Sequence, residues 1–126
     1  MNLTSVLRSL PDNPRVVVSG NHAVPFHTLK LIDRELDRYR LWVLNAPKGL
    51  PDRDGVTYET PFVGVGVRGS ARLSYVPCRL SMVPRLFHGP LPPDVVVVHT
   101  TVPRDGRVSL GVEVNVLPAA LEAARA

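Results

Sequence analysis

The residues best suited to hold a ligand lie in one short loop, made of Ser19, Gly20, Asn21 and His22. This loop follows the β-branched run at 15–18 and precedes Pro25, a residue that favours the first turn of a helix. In open parallel sheets, ligands bind where a strand ends and a helix begins, because the backbone N–H groups there can bind an anion. Two interpretations stay open: an anion site, or a plain turn in which Asn21 caps the helix.

The other candidates for chemistry are isolated along the chain. The four histidines (His22, His27, His88 and His99) and the single cysteine show none of the close spacings of a zinc site, so no metal is expected. Cys78 is a thiol beside Arg79, but a lone cysteine of this kind is more often a small buried hydrophobe than a nucleophile. Glu113 is one carboxylate without a partner, which is weak support for catalysis.

Two glycine-containing segments are interpreted as turns. The segment 64–69 lacks the lysine and hydroxyl of a phosphate-binding loop, so its glycines are expected to allow a tight turn and close backbone approach. In the segment 103–106, Pro103 is expected at the second position of the turn, with Asp105 and Gly106 closing it.

The elements that must position these residues alternate between strands and helices. The spacing of apolar residues and the positions of proline predict helices over 4–10, 25–36, 80–87 and 118–126. Valine-rich and other apolar runs predict strands at 15–19, 41–44, 56–63, 73–76, 95–101 and 107–110. The run at 15–19 has no polar alternation, which is typical of a central strand covered on both faces. This order predicts an α/β fold with a mainly parallel sheet flanked by helices.

Composition narrows the class of protein. The 126 residues, 44% of them apolar, are enough for one domain over 1–126. One cysteine and no signal segment favour a cytoplasmic protein, and no apolar run approaches the length of a membrane helix. The net charge of +4 comes mainly from arginines dispersed along the chain, and this dispersed pattern does not favour nucleic-acid binding. An acidic ligand explains the positive charge as well as a nucleic acid does.

Several segments, in the same order, resemble the acetyl-CoA hydrolase/transferase family of class I CoA-transferases, which includes 4-hydroxybutyrate and succinate/acetate CoA-transferases. The similarity begins with the strand, loop and helix at 15–29 and continues through 62–68 and 75–84. Its most specific part is the run at 91–98, followed by Pro103, Asp105-Gly106, the segment 109–112 and the Ala-rich helix. The resemblance covers nearly the whole chain, but only the amino-terminal part of the family's two-domain length.

The resemblance implies a CoA-transferase-like fold and a reaction that moves CoA between carboxylic acids or to water. In such a reaction a glutamate of the carboxyl-terminal domain forms a glutamyl-CoA intermediate, so no catalytic residue is expected in this chain. The residues expected to bind substrate are Ser19, Gly20, Asn21, His22 and Arg68, whose guanidinium suits a carboxylate or a phosphate. The expected ligands are acyl-CoA and a small carboxylate, and the expected partners are a carboxyl-terminal domain and further copies of the chain.

This sequence departs from the family pattern at two places. The histidine of the family's Pro-Pro-Asp-x-His-Gly element is missing, because the chain has Val102-Pro103-Arg104-Asp105-Gly106 there. Ser74 stands where the family usually has an acidic residue.

The final helix begins a strand-helix unit that no following strand completes, so a fragment of a longer protein is expected. The alternative is a diverged half that binds an acyl-CoA-like ligand or a partner chain without catalysis.

Overall fold

Five parallel strands form one sheet in the computed structural model, which describes residues 2–126. The strands are β1 (Arg15–Val18), β2 (Tyr39–Trp42), β3 (Val56–Thr60), β4 (Leu73–Tyr75) and β5 (Val95–Val97). Their order in the sheet is β4-β3-β2-β1-β5, with every neighbouring pair parallel. The α/β fold class and the central position of the 15–18 run are therefore confirmed.

Helices cover both faces of the sheet. They are α1 (Leu3–Arg8), α2 (Phe26–Glu35), α3 (Val83–Phe87) and α4 (Leu117–Ala123), with a 3-10 turn at Leu80–Met82 before α3. On one face, Leu29 and Ile32 of α2 pack with Val16 and Val18 of β1. On the other face, Phe87 packs in the cluster that includes Val17 and meets the Trp42 ring edge-on, with ring centroids 4.9 Å apart. The result is a three-layer arrangement in which β1 is fully buried.

A buried ion pair joins strands β1 and β3, which lie on either side of β2. Arg15, on β1, donates from Nε to the Glu59 carboxylate of β3 at 2.9 Å, and both side chains are more than nine-tenths buried. Arg15 also donates from Nη1 to the Pro92 carbonyl at 3.0 Å, while its backbone N–H binds Asp94 at 2.8 Å. These contacts connect strands β1 and β3 with the segment that enters β5.

The segment after β5 differs from the prediction. The expected strand at 95–101 ends at Val97, because the last backbone contact to β1 is Ser19 N–H to the Val97 carbonyl, at 3.3 Å. The expected strand at 107–110 is wrong: residues 101–109 form a short projecting hairpin whose one bridge pairs Arg104 with Arg107. Asp105 and Gly106, both at positive φ, hold its two central positions, so Pro103 precedes the turn instead of sitting inside it.

The element ends also differ in detail. The first helix is capped by the Asn2 side chain, which accepts the Ser5 N–H at 2.9 Å, and it spans Leu3–Arg8 instead of the predicted 4–10. The second strand begins two residues before the predicted start, at Tyr39. After α4 the backbone extends, and Ala126 makes hydrogen bonds to Asp94 and Val96 along the outer edge of β5. Within residues 2–126, no helix is long and apolar enough to cross a membrane.

Candidate functional site

The strand order creates a crevice between β1 and β5. From β1 the chain proceeds through β2 and β3 to β4 on one side, and then crosses to place β5 on the other side of β1. At such a reversal, the loops after the two adjacent strands, here β1 and β5, diverge and leave a crevice at the carboxyl edge of the sheet, where open α/β sheets bind ligands. The loop at 19–22 and the segment after β5 border this crevice.

The four predicted loop residues divide into two buried and two exposed ones. Ser19 is fully buried, and its hydroxyl accepts the His99 N–H at 3.4 Å, so it joins the two strand ends. Gly20 packs beneath the backbone of Leu44. Asn21 and His22 are exposed at the crevice. Ser19 and Gly20 therefore shape the loop, while Asn21 and His22 are the members that a ligand can touch.

The backbone of this loop forms a turn, and one of its N–H groups contacts a carboxylate of the same chain. The Ala23 N–H donates to the Gly20 carbonyl at 3.1 Å, and Asn21 has a positive φ of 51°. Pro25, and not Asn21, occupies the cap position of α2. The His22 N–H donates to the Glu113 carboxylate at 3.3 Å, whereas the N–H groups of Gly20 and Asn21 meet no acceptor in the described part of the chain.

Glu113 is the buried carboxylate of the site, with 7% of its surface exposed. Its other oxygen accepts the Asn115 side-chain amide at 2.8 Å. No lysine, arginine or histidine among residues 2–126 forms an ion pair with it. Burying a carboxylate without a cation is costly unless it is hydrogen-bonded, and here the His22 N–H and the Asn115 amide supply those bonds.

A cavity of about 250 Å³ opens between the loop and the segment after β5. It is lined by His22, Ala23, His99, Thr100, Thr101, Leu110, Gly111 and Val112. Two imidazoles and two hydroxyls thus border a partly apolar space, but the Thr100 hydroxyl already donates to the Thr101 carbonyl at 3.0 Å. The two imidazoles and the Thr101 hydroxyl are therefore the side-chain groups that can donate to a ligand oxygen there.

Arg68 and Cys78 lie apart from this crevice. Arg68 is exposed, donates to the Val63 carbonyl at 3.2 Å, and is not among the residues that line the cavity at His22 and His99. It belongs to the 64–69 loop, in which Gly64 and Gly66 pack directly on the backbone of residues 45–48, as the close backbone approach expected of these glycines requires.

Cys78 is half-buried against the apolar cluster of α3 and α4. Across residues 2–126, no three histidine, cysteine, aspartate or glutamate side chains are grouped to hold a metal ion.

Sequence reasoning missed two asparagines that complete the site. Asn45 follows β2 and Asn115 follows Glu113, and both have positive φ values, of 46° and 27°. The signal for Asn45 was available, because it directly follows a buried strand of a parallel sheet.

No family model matches this chain, and no curated protein matches it either.

Proposed function

We propose that this chain is the amino-terminal domain of an acyl-CoA transferase or acetyl-CoA hydrolase with a CoA-transferase-like fold. The observation that carries the proposal is the crevice between β1 and β5, where the predicted loop at 19–22 meets His99 and a cavity of about 250 Å³. The motif resemblance at 15–29 and 91–98 supports the same function. The protein would work in the cytoplasm, on an acyl-CoA and a small carboxylate.

In the proposed reaction, a glutamate outside this chain attacks the thioester carbonyl and expels CoA thiolate. The thiolate then attacks the resulting acyl-glutamyl anhydride, which releases the carboxylate product and leaves a glutamyl-CoA thioester. An acceptor carboxylate or water completes transfer or hydrolysis. The role of this chain is to hold and orient the acyl-CoA, with the Gly20 and Asn21 N–H groups and the two imidazoles as donors to oxygens that gain negative charge.

A second candidate function is a non-catalytic half that binds an acyl-CoA-like ligand or a partner chain. The Glu113 carboxylate favours it, because this anion already occupies the His22 N–H that a ligand carboxylate would use. The two candidates predict different results when a carboxyl-terminal domain is supplied. The first predicts turnover of acyl-CoA, and the second predicts none.

The test is an assay of the purified chain with acetyl-CoA and either acetate or succinate, alone and with a carboxyl-terminal CoA-transferase domain added. We expect no exchange by the chain alone, because its nucleophile lies elsewhere, and exchange when the added domain docks. Exchange by the chain alone that Glu113→Gln abolishes would place the nucleophile at Glu113 and contradict the proposal. Binding of acetyl-CoA without turnover in any combination would favour the non-catalytic half.

A further inference from the structure

The hairpin at 101–109, called the arm from here on, exposes every one of its residues. It is closed beside its turn by two backbone hydrogen bonds of 2.9 Å that Arg104 and Arg107 exchange. Its apolar side chains are exposed as well, with 83% of Val102 and 53% of Val108 accessible to solvent. An isolated two-stranded hairpin is only marginally stable, and exposed apolar side chains on it are typical of a surface that another molecule covers.

The tip of the arm carries three charged groups without a partner of opposite charge. Because Arg104 and Arg107 exchange both of their backbone hydrogen bonds, they lie directly opposite each other and their side chains leave the same face. Two like charges in this arrangement destabilise a hairpin. Neither arginine forms an ion pair with any residue in 2–126, and neither does Asp105 between them. The tip therefore presents a positive, a negative and a positive group that a partner can neutralise.

A cavity of about 350 Å³ lies at the opposite, amino edge of the sheet, between the ends of α1 and α2, and is called the amino-edge cavity from here on. Asp12 and Arg38, two of its charged residues, form an ion pair with each other. The other three, Glu35, Asp37 and Arg8, form no ion pair within the described part of the chain. The amino-edge cavity thus presents two negative groups and one positive group.

The arm and the amino-edge cavity match in charge and in polarity. The two arginines of the arm can pair with the two free carboxylates of the cavity, and Asp105 can pair with Arg8. Leu10 and Leu36, which are partly exposed in the cavity wall, can cover the valines of the arm. Within one chain the two surfaces lie at opposite edges of the sheet and do not meet, so a contact between them joins two copies.

We infer that the arm of one copy of this chain docks in the amino-edge cavity of the next copy. The contact is heterologous, because it joins two different surfaces, so two copies leave one arm and one cavity free. Further copies add to these free ends or close a ring. This contact uses neither the crevice between β1 and β5 nor the proposed reaction, so it stands or fails separately from the proposed function.

The test exchanges the charges of the two surfaces and measures the mass of the full chain by sedimentation equilibrium. One variant carries Arg104→Glu and Arg107→Glu, and the other carries Glu35→Arg and Asp37→Arg. In either variant alone the arm and the cavity carry like charges, so we expect association at least about tenfold weaker than that of the wild-type chain. In an equimolar mixture of the two variants each arm again meets a cavity of opposite charge, so association should return to nearly its wild-type strength.

The matched control carries Lys48→Glu and Arg85→Glu, which remove the same amount of positive charge at two exposed residues outside both surfaces. It should associate like the wild-type chain. A salt titration of the wild-type chain does not depend on the folding of a variant: association should weaken between about 0.05 M and about 0.5 M salt, because salt screens exposed charges.

Three results would overturn the inference. The first is a mixture of the two variants that associates no more than either variant alone. The second is association that persists unchanged in both variants or at high salt, which would place the contact on exposed apolar groups elsewhere. The third is loss of duplex-DNA binding in the arm variant with no change in protein mass, which would assign the arm to a nucleic acid.

Discussion

Gly20 has no room for a side chain. A Cβ at this position would collide with the carbonyl oxygen of Leu44, in the segment after β2. The requirement for glycine comes from this contact and not from backbone conformation, because the residue of the loop with positive φ is Asn21. The loop at 19–22 is therefore held against the neighbouring strand by a contact that only glycine permits.

This contact predicts a large effect of Gly20→Val. The branched side chain must displace either the loop or the Leu44 backbone, so we expect a loss of about 3 kcal/mol or more in the free energy of unfolding. Acetyl-CoA binding should weaken as the loop moves. Urea unfolding and a binding titration on the same samples measure both effects, and Arg34→Ala, on the exposed side of α2, is the control. Wild-type stability and affinity in Gly20→Val would remove the loop from the site.

The loop at 19–22 could be predicted from the sequence because strand, glycine and helix signals follow one another within a few residues. Glu113 could not be assigned in the same way. Its partners are the His22 N–H, which is distant in sequence, and Asn115, and its burial depends on how the 98–116 segment folds back over the crevice. The role of a single carboxylate can be assigned only once such long-range contacts are known.

At the scale of elements, one hydrogen bond connects α2 to β2. The Tyr39 hydroxyl donates to the Asp33 carboxylate at 2.9 Å. Burial raises the pKa of Tyr39 far above its usual range, and the hydrogen bond to Asp33 raises it further. The phenol therefore stays protonated in the folded protein at pH values where an unfolded tyrosine ionises.

This shift predicts a loss of stability in alkali. Above pH about 10 the unfolded chain releases the Tyr39 proton and the folded chain retains it, so the free energy of unfolding falls as the pH rises. The pKa of Tyr58 is also raised, mainly by burial, so it contributes to the same fall. Tyr39→Phe should reduce the slope without abolishing it. Urea unfolding between pH 8 and pH 11 measures this slope, and an identical slope in the variant would contradict the assignment.

The strand predicted at 15–19 was predictable because its β-branched run is bounded by proline and glycine, whereas the strand predicted at 56–63 ends at Thr60. The run at 95–101 was predicted too long because valine content shows β-propensity and not pairing. Beyond Val97 the β1 backbone turns away at Ser19, so the last residues of that run have no strand beside them. Strand length at a crevice depends on the neighbouring strand, which a local pattern does not contain.

At the scale of the whole molecule, several exposed apolar side chains lie on segments at the carboxyl side of the sheet. They are Phe62, Val65, Tyr75, Leu80, Met82, Val112 and Val114. Exposed apolar side chains concentrated on one side of a protein are typical of surfaces that another domain or subunit covers.

We therefore predict that the protein self-associates in solution. Light scattering at high protein concentration should give a mass above the 13.8 kDa of one chain. Leu80→Ser, which removes one of the exposed apolar groups, should shift the equilibrium toward the monomer, whereas Leu121→Ser, on α4, should not. A monodisperse monomer with cooperative unfolding would show that the exposed apolar groups are tolerated without a partner.

Chemical-shift mapping with acetyl-CoA tests the central claim, that the crevice between β1 and β5 binds an acyl-CoA. In ¹⁵N–¹H spectra of the full chain, we predict that acetyl-CoA shifts the amides of Gly20, Asn21, His22 and His99. The amides of Asp12 and Asn13, which precede β1 at the opposite edge of the sheet, should not move. Shifts centred on that opposite edge, or no shifts at millimolar acetyl-CoA, would contradict the account.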